Sequence, residues 1–146
     1  MGNRAVIAFT NEGKKDKKGV GIYLHWNGGR DSVEGFLQAA KDYDLRNGTY
    51  GVARLIQIIC NAIPGTLSVG VGIVEKLDCN NFDNGLYWID QEFNIVGREF
   101  LEEGVGVEQD EYPLDRFVKH VKKHNDFVFE KDPYKRLNKL EKGNAA

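Results

Sequence analysis

At Asn27-Gly28-Gly29 the hydrophobic period of this chain changes from two to about 3.6, and that switch constrains the fold more than any other feature. Upstream, residues 20–26 are rich in β-branched and aromatic side chains, which predicts a strand. Downstream, Val33, Phe36, Leu37 and Ala40 fall at i, i+3, i+4 and i+7 and gather on one helical face. Asp31 reads as the N-cap of this helix, and Glu34, three residues on, as its capping-box partner. The helix is expected to end before Asn47-Gly48.

The same reasoning assigns the rest of the chain. Residues 4–9 have strand composition and pair with residues 20–26 as a hairpin, whose tip carries Lys14, Lys15, Lys17 and Lys18 between glycines. A charge run of that kind reads first as a solvated loop. Residues 50–62 are apolar nearly all round, which predicts the central buried helix, stopping at Pro64-Gly65. Its long polar residues, Arg54, Gln57 and Asn61, form one stripe that either meets solvent or lines a pocket. In residues 66–74, Leu67, Val69, Val71 and Ile73 alternate with Ser68, Gly70 and Gly72, so one strand face is nearly bare and something must pack closely on it. Residues 86–90 and 94–100 predict a second hairpin in the same sheet, with Tyr87 and Trp88 on opposite faces. After Pro113, Leu114, Phe117, Val118 and Val121 mark a last amphipathic helix. The expectation is an α+β fold: one domain over residues 1–133, a mainly antiparallel sheet of two hairpins, a central buried helix and two amphipathic helices. A lysine-rich tail, residues 134–146, follows.

Composition excludes several classes of function. The 146 residues are 41% hydrophobic and 29% charged with net charge −2, so no overall field draws in nucleic acid or an anionic membrane. Mean hydropathy is −0.47, no run of about 18 apolar residues occurs, and residues 1–12 lack an apolar leader core. A cytoplasmic protein is expected. Cys60 and Cys79 lack CxxC spacing and fit reduced, structural thiols.

The junction between strand and helix is the candidate site. The Gly28 and Gly29 amides, the first helical turn and the Arg30 guanidinium can together hold an anion, because helix N-termini carry unpaired N–H donors and partial positive charge. His25 and Trp26 add a hydrogen bond and a stacking surface, and Asn27 shapes the turn. Asp83 and Asp78 are expected to approach Arg30 or Arg54 and form a polar floor. Against this stands a plain capped turn, with Asp31 and Glu34 satisfying the same donors; the pattern is neither GxGxxG nor GxxxxGK[ST]. Catalysis by Ser32 with His25 as base lacks an orienting third group, and strand alternation puts His25 on the face opposite Leu24 and Trp26, with Tyr23 joining it only across a bulge. His120 and His124 have metal-binding spacing but lie among lysines, and residues 78–85 break the calcium-loop register at Phe82. No catalytic residue, cofactor or metal is therefore assigned.

The runs at residues 2–7, 23–29, 83–85 and 95–99 together resemble a family of small bacteriophage and mobile-element proteins carrying a Tyr-Leu-His-Trp-Asn-Gly-Gly segment, a family to which no activity is assigned. The likeness spans about the first hundred residues. It implies an accessory factor in a bacterial cytoplasm that sequesters a host component, such as a nucleotide immune signal. The resulting expectation is a noncatalytic protein, a homo-oligomer in one form, holding a small anionic or nucleotide-like ligand. A protein–protein inhibitor that docks a host enzyme through its acidic segment, residues 99–111, is the alternative, and a small hydrolase the third reading.

Overall fold

In the computed structural model, which describes residues 2–63, 68–100 and 113–129, strand β1 (Ala5–Phe9) is the middle of a five-stranded sheet. Its neighbours are β2 (Val20–Leu24) and β4 (Leu86–Ile89); β3 (Val69–Ile73) lies outside β2 and β5 (Ile95–Glu99) outside β4. Each consecutive hairpin is antiparallel, as the turn chemistry predicts, and β3 is antiparallel to β2. The two hairpins meet through a parallel pair, with Val6 opposite Leu86 and Phe9 opposite Ile89. The fold is α+β with a mostly antiparallel open sheet.

Alternation along the strands creates two apolar faces. Ala5, Ile7, Ile22, Leu24, Tyr87 and Ile89 face the helices, whereas Val6, Ala8, Leu86 and Trp88 form a smaller cluster on the far side. That second face is covered by a short 3-10 turn, Val74–Lys76, and by Leu77. Leu77 is the close neighbour of Gly72, where a Cβ would lie 3.3 Å from its methyl carbon, and also of Gly21 on β2, at 3.0 Å; a Cβ on Gly70 would meet only Tyr23 Cβ, at 3.9 Å. The lysine tip is exposed yet anchored. Lys17 O accepts from Glu75 N at 2.9 Å, Lys17 Nζ lies 3.6 Å from Glu99, and Lys15 Nζ would be 2.6 Å from a Cβ on Gly97.

Helices α1 (Arg30–Asp42), α2 (Thr49–Ala62) and α3 (Leu114–Lys123) cover the first face. Burial is heaviest on α1, where the predicted stripe of Val33, Phe36, Leu37 and Ala40 is fully enclosed. Phe117 of α3 stacks edge-on to Phe36 at 5.3 Å and occupies the space that a side chain on Gly35 would need. The all-round apolar α2, expected at the centre, instead buries one face through Leu55, Ile58, Ile59 and Ala62, leaving Ala53 and Cys60 exposed. Its polar stripe divides. Asn61 donates to Asn125 at 3.0 Å, and buried Asn125 donates to Ile58 O and Val121 O, while Arg54 and Gln57 meet at the surface. At the end of α1, Tyr43 donates to Asp126 at 2.7 Å, and burial followed by that carboxylate pushes its phenol far up. Pro64-Gly65, the acidic residues 101–112 and the tail 134–146 lie outside the described residues.

Candidate functional site

The junction at residues 25–30 is closed by the chain's own N-terminal segment. His25 extends the ladder past β2: its N–H donates to Ser68 O at 3.0 Å and its carbonyl accepts from Asn3 N at 2.9 Å. Tyr23 and His25 share a face by ordinary alternation, with no bulge, and the phenol oxygen lies 2.9 Å from His25 Nδ1. Burial, and then Asp78, push the Tyr23 phenol up, so it stays protonated at neutral pH. Trp26 is 46% exposed and edge-on to His25, and Asn27 takes the left-handed conformation, φ 60. Gly28 then crosses the N-terminal strand. Its amide donates to Asn3 O at 2.8 Å, its carbonyl accepts from Tyr87 Oη at 2.8 Å, and a Cβ there would sit 2.6 Å from Asn3 O. The glycine admits the protein's own backbone, not a ligand.

The Arg30 guanidinium and the Ser32 amide of the predicted cradle are also engaged. Gly29, not Asp31, is the cap of α1; Asp31 lies in the first turn, where its Oδ1 accepts from Ser32 N at 2.6 Å. Glu34 does not reach back as a capping box, because it takes the Arg30 guanidinium at 2.7 Å one turn away. Asp83 pairs with Arg4, accepting from Nε at 2.7 Å and from the backbone N–H at 3.1 Å, rather than with Arg30 or Arg54. That hydrogen bond raises the Arg4 pKa further. Arg54 stands exposed on α2, 3.4 Å from Gln57. The predicted set therefore divides: His25, Trp26, Asn27, Gly28 and Gly29 form one corner with Arg30 on its rim, Asp83 belongs to a separate ion pair, and Arg54 to another surface.

The other chemistries weighed in the sequence have structural explanations. Ser32 is fully buried in α1, and its Oγ has no hydrogen-bond partner among the described residues, so a substrate does not reach it. His120 and His124 meet edge-on at 4.8 Å, and His120 Nε2 lies 3.1 Å from Ala62 O. Among the described residues no group of three or more His, Cys, Asp or Glu side chains is placed to hold a metal. In the loop before β4, Asn81 is the hub: it donates to Asp78 O and Gly85 O and accepts from Asp83 N and Gly85 N, at 3.0 to 3.1 Å. Burial pushes both the Cys60 and Cys79 thiols up, away from thiolate reactivity.

The opposite end of the parallel pair is open. Because β1 and β4 run the same way, their carboxyl ends emerge together, the position where α/β sheets commonly take ligands. There a cavity of about 290 Å³ is walled by Phe9, Val20, Val52 and Phe93. Thr10, Asn11, Asp90 and Gln91 contribute to its lining from the two strand ends, and Gly48, Thr49 and Gly51 from the start of α2. Gly48 caps α2 at φ 70 with no side-chain hydrogen bond, and the first turn carries no acid. The amides of Thr49, Tyr50 and Gly51 precede the first intrahelical bond, Val52 N to Gly48 O at 3.1 Å, so no i−4 carbonyl serves them. Gly51 lets this turn close on the Arg46 carbonyl and approach the wall: a Cβ would be 2.6 Å from Arg46 O and 3.2 Å from Phe93 Cζ. The neighbouring polar groups are held in place, Thr10 Oγ1 on Ile89 O at 3.0 Å and the Asp90 carboxylate on Glu92 N and Asn94 N at 2.9 Å.

Sequence reasoning missed this cavity. Its local signal was Gly48-Thr49-Tyr50-Gly51, a helix start with two glycines and no acid; the decisive part, parallel pairing of strands nearly eighty residues apart, has no local signature. Compared with known proteins, the chain matches no family model, no curated protein and no solved structure. Among the described residues no helix is long and apolar enough to cross a membrane.

Proposed function

We propose that this chain is a noncatalytic binding protein that sequesters a small ligand consisting of a flat apolar ring and an anionic group, and that the ligand enters the cavity at the carboxyl ends of β1 and β4. The observation that carries the reading is the joining of two features in one place: an apolar cavity and a helix start that has neither a side-chain cap hydrogen bond nor an acid in its first turn. Phe9, Val52 and Phe93 offer the ring surface, while the Thr49, Tyr50 and Gly51 amides favour negative charge through the helix dipole. A volume of about 290 Å³ is at the lower end of ligand cavities, roughly 300–1,000 Å³, which favours a nucleobase-sized ring over a dinucleotide. Binding rather than catalysis is favoured because the lining presents no pair of acid and base: the Asp90 carboxylate is committed to its hairpin turn.

The likeness of residues 2–7, 23–29, 83–85 and 95–99 to bacteriophage and mobile-element proteins supports the further reading of an accessory factor that removes a small host immune signal. The test is direct. The protein is mixed with a small-molecule extract of phage-infected bacteria, washed, heat-denatured, and the supernatant analysed by mass spectrometry. A stoichiometric aromatic anion, absent when Val52→Trp fills the cavity, is the expected result; a supernatant with no enriched compound from infected or uninfected cells removes the proposal.

A further inference from the structure

The two outer strands of the sheet are protected very differently. β5 carries Arg98 and Glu99, and its pairing with β4 is irregular between Trp88 and Ile89, both of which discourage another strand from adding to that edge. β3 is Val-Gly-Val-Gly-Ile, with no charge, no proline and an unbroken register against β2. Among the described residues it has a neighbour on one side only.

The direction of its backbone groups follows from two hydrogen bonds that bracket it. His25 N donates to Ser68 O at 3.0 Å, and Val74 N donates to Gly19 O at 2.9 Å. Alternation then directs Gly70 and Gly72 toward β2, opposite Tyr23 and Gly21, and turns the N–H and C=O groups of Val69, Val71 and Ile73 outward. The outward set is symmetric about Val71. The side chains of Val71 and Ile73 are 53% and 47% exposed, and Val20, paired with Ile73 on the same face, is 42% exposed.

We propose that β3 is the interface for a second copy of this chain, related by a two-fold axis through Val71. Antiparallel pairing in this register joins Val71 to the partner's Val71 and Val69 to the partner's Ile73, so that each outward donor meets an acceptor and no like charges come together. The sheet becomes a continuous ten-stranded layer in which Val71 and Ile73 pack beside the partner's Val71 and the partner's Val69. A second copy is favoured over an unrelated peptide because the strand is its own complement in length, polarity and charge. Five residues a side is far less than the roughly 20–30 of a standard stable interface, so the dimer dissociates on dilution.

Sedimentation velocity over a wide concentration range, with amide hydrogen exchange on the same samples, tests this. The expected result is a mass rising from 16.5 kDa toward twice that value, with the Val69, Val71 and Ile73 amides protected at high concentration and at least about tenfold faster on dilution. Val71→Pro removes an N–H that faces away from β2, and should leave a folded monomer at every concentration; Val71→Thr keeps the N–H and should still associate. If the proline variant misfolds, Val71→Cys in a Cys60→Ser background should form a disulfide-linked dimer under mild oxidation. A monomer up to millimolar concentration, protection that ignores concentration, or failure of the cysteine variant to cross-link overturns the proposal.

Discussion

The two ends of the parallel pair β1 and β4 are built from similar materials and reach opposite results. At the amino ends, Gly28, Asn3, Asn84 and Tyr87 satisfy one another: Gly28 N on Asn3 O, Tyr87 Oη on Gly28 O, Asn84 Nδ2 on Arg4 O, and Arg98 on Asn84 O at 2.7 Å. At the carboxyl ends, glycines again flank a helix start, but no chain segment among the described residues crosses it, and the space between Phe9, Val52 and Phe93 stays open. A glycine-rich turn into a helix is therefore not a ligand site in itself. What decides is whether another strand of the same protein already uses the donors.

Substitutions can break this contrast. The largest effect is expected at Gly28: a Cβ there meets Asn3 O at 2.6 Å, Arg4 C at 2.7 Å and Ala5 Cβ at 2.8 Å, none of which moves without distorting β1. Gly28→Ala should cost about 3 kcal/mol in urea unfolding; a cost under about 0.5 kcal/mol would mean that the corner is looser than described. Next comes the polar network. Asn84→Ala removes the side-chain bonds to Asn3 Oδ1 and Arg4 O, while Arg4 O keeps the backbone N–H of residue 84 at 3.0 Å, and should lower stability by about 1 kcal/mol without changing ligand affinity. A parallel loss of binding would link the two ends.

Filling the open end should have the reverse signature. Val52→Trp is expected to weaken binding of naphthalene-2-sulfonate, an aromatic ring with one anionic group, by at least about tenfold, or about 1.4 kcal/mol. Its unfolding midpoint should hardly move, because Val52 is only half-buried. Calorimetry and thermal melts on the same sample decide this. The smallest effect belongs to Arg30→Ala. It breaks an exposed i,i+4 pair with Glu34 worth about 0.3–0.5 kcal/mol, and binding of the same probe should stay unchanged.

Much of the fold was legible because its signals are local. Strand composition gave β1 and β2, hairpin spacing gave β4 and β5, alternation gave β3, the stripe from Val33 to Ala40 gave α1, and the bare face of Gly70 and Gly72 announced a close neighbour, which the structure identifies for Gly72 as Leu77. The site was less legible because occupancy is a long-range property. Nothing near Gly28 reveals that Asn3 takes its amide, and nothing near Asp83 names Arg4 as its partner. The burial of α2 was overread for a related reason. Its small apolar residues, Ala53 and Cys60, suit a helix with one covered face as well as one enclosed on all sides.

The central claim is that ligand is held at the carboxyl ends of β1 and β4 and not at the Gly28 corner. The most direct measurement is a ¹H–¹⁵N correlation titration of the ¹⁵N-labelled protein with naphthalene-2-sulfonate. Saturable shifts concentrated on the amides of Thr49, Tyr50, Gly51 and Gln91 are predicted, with His25, Gly28 and Gly29 still. Shifts centred on His25 to Arg30, with α2 unmoved, would contradict the account.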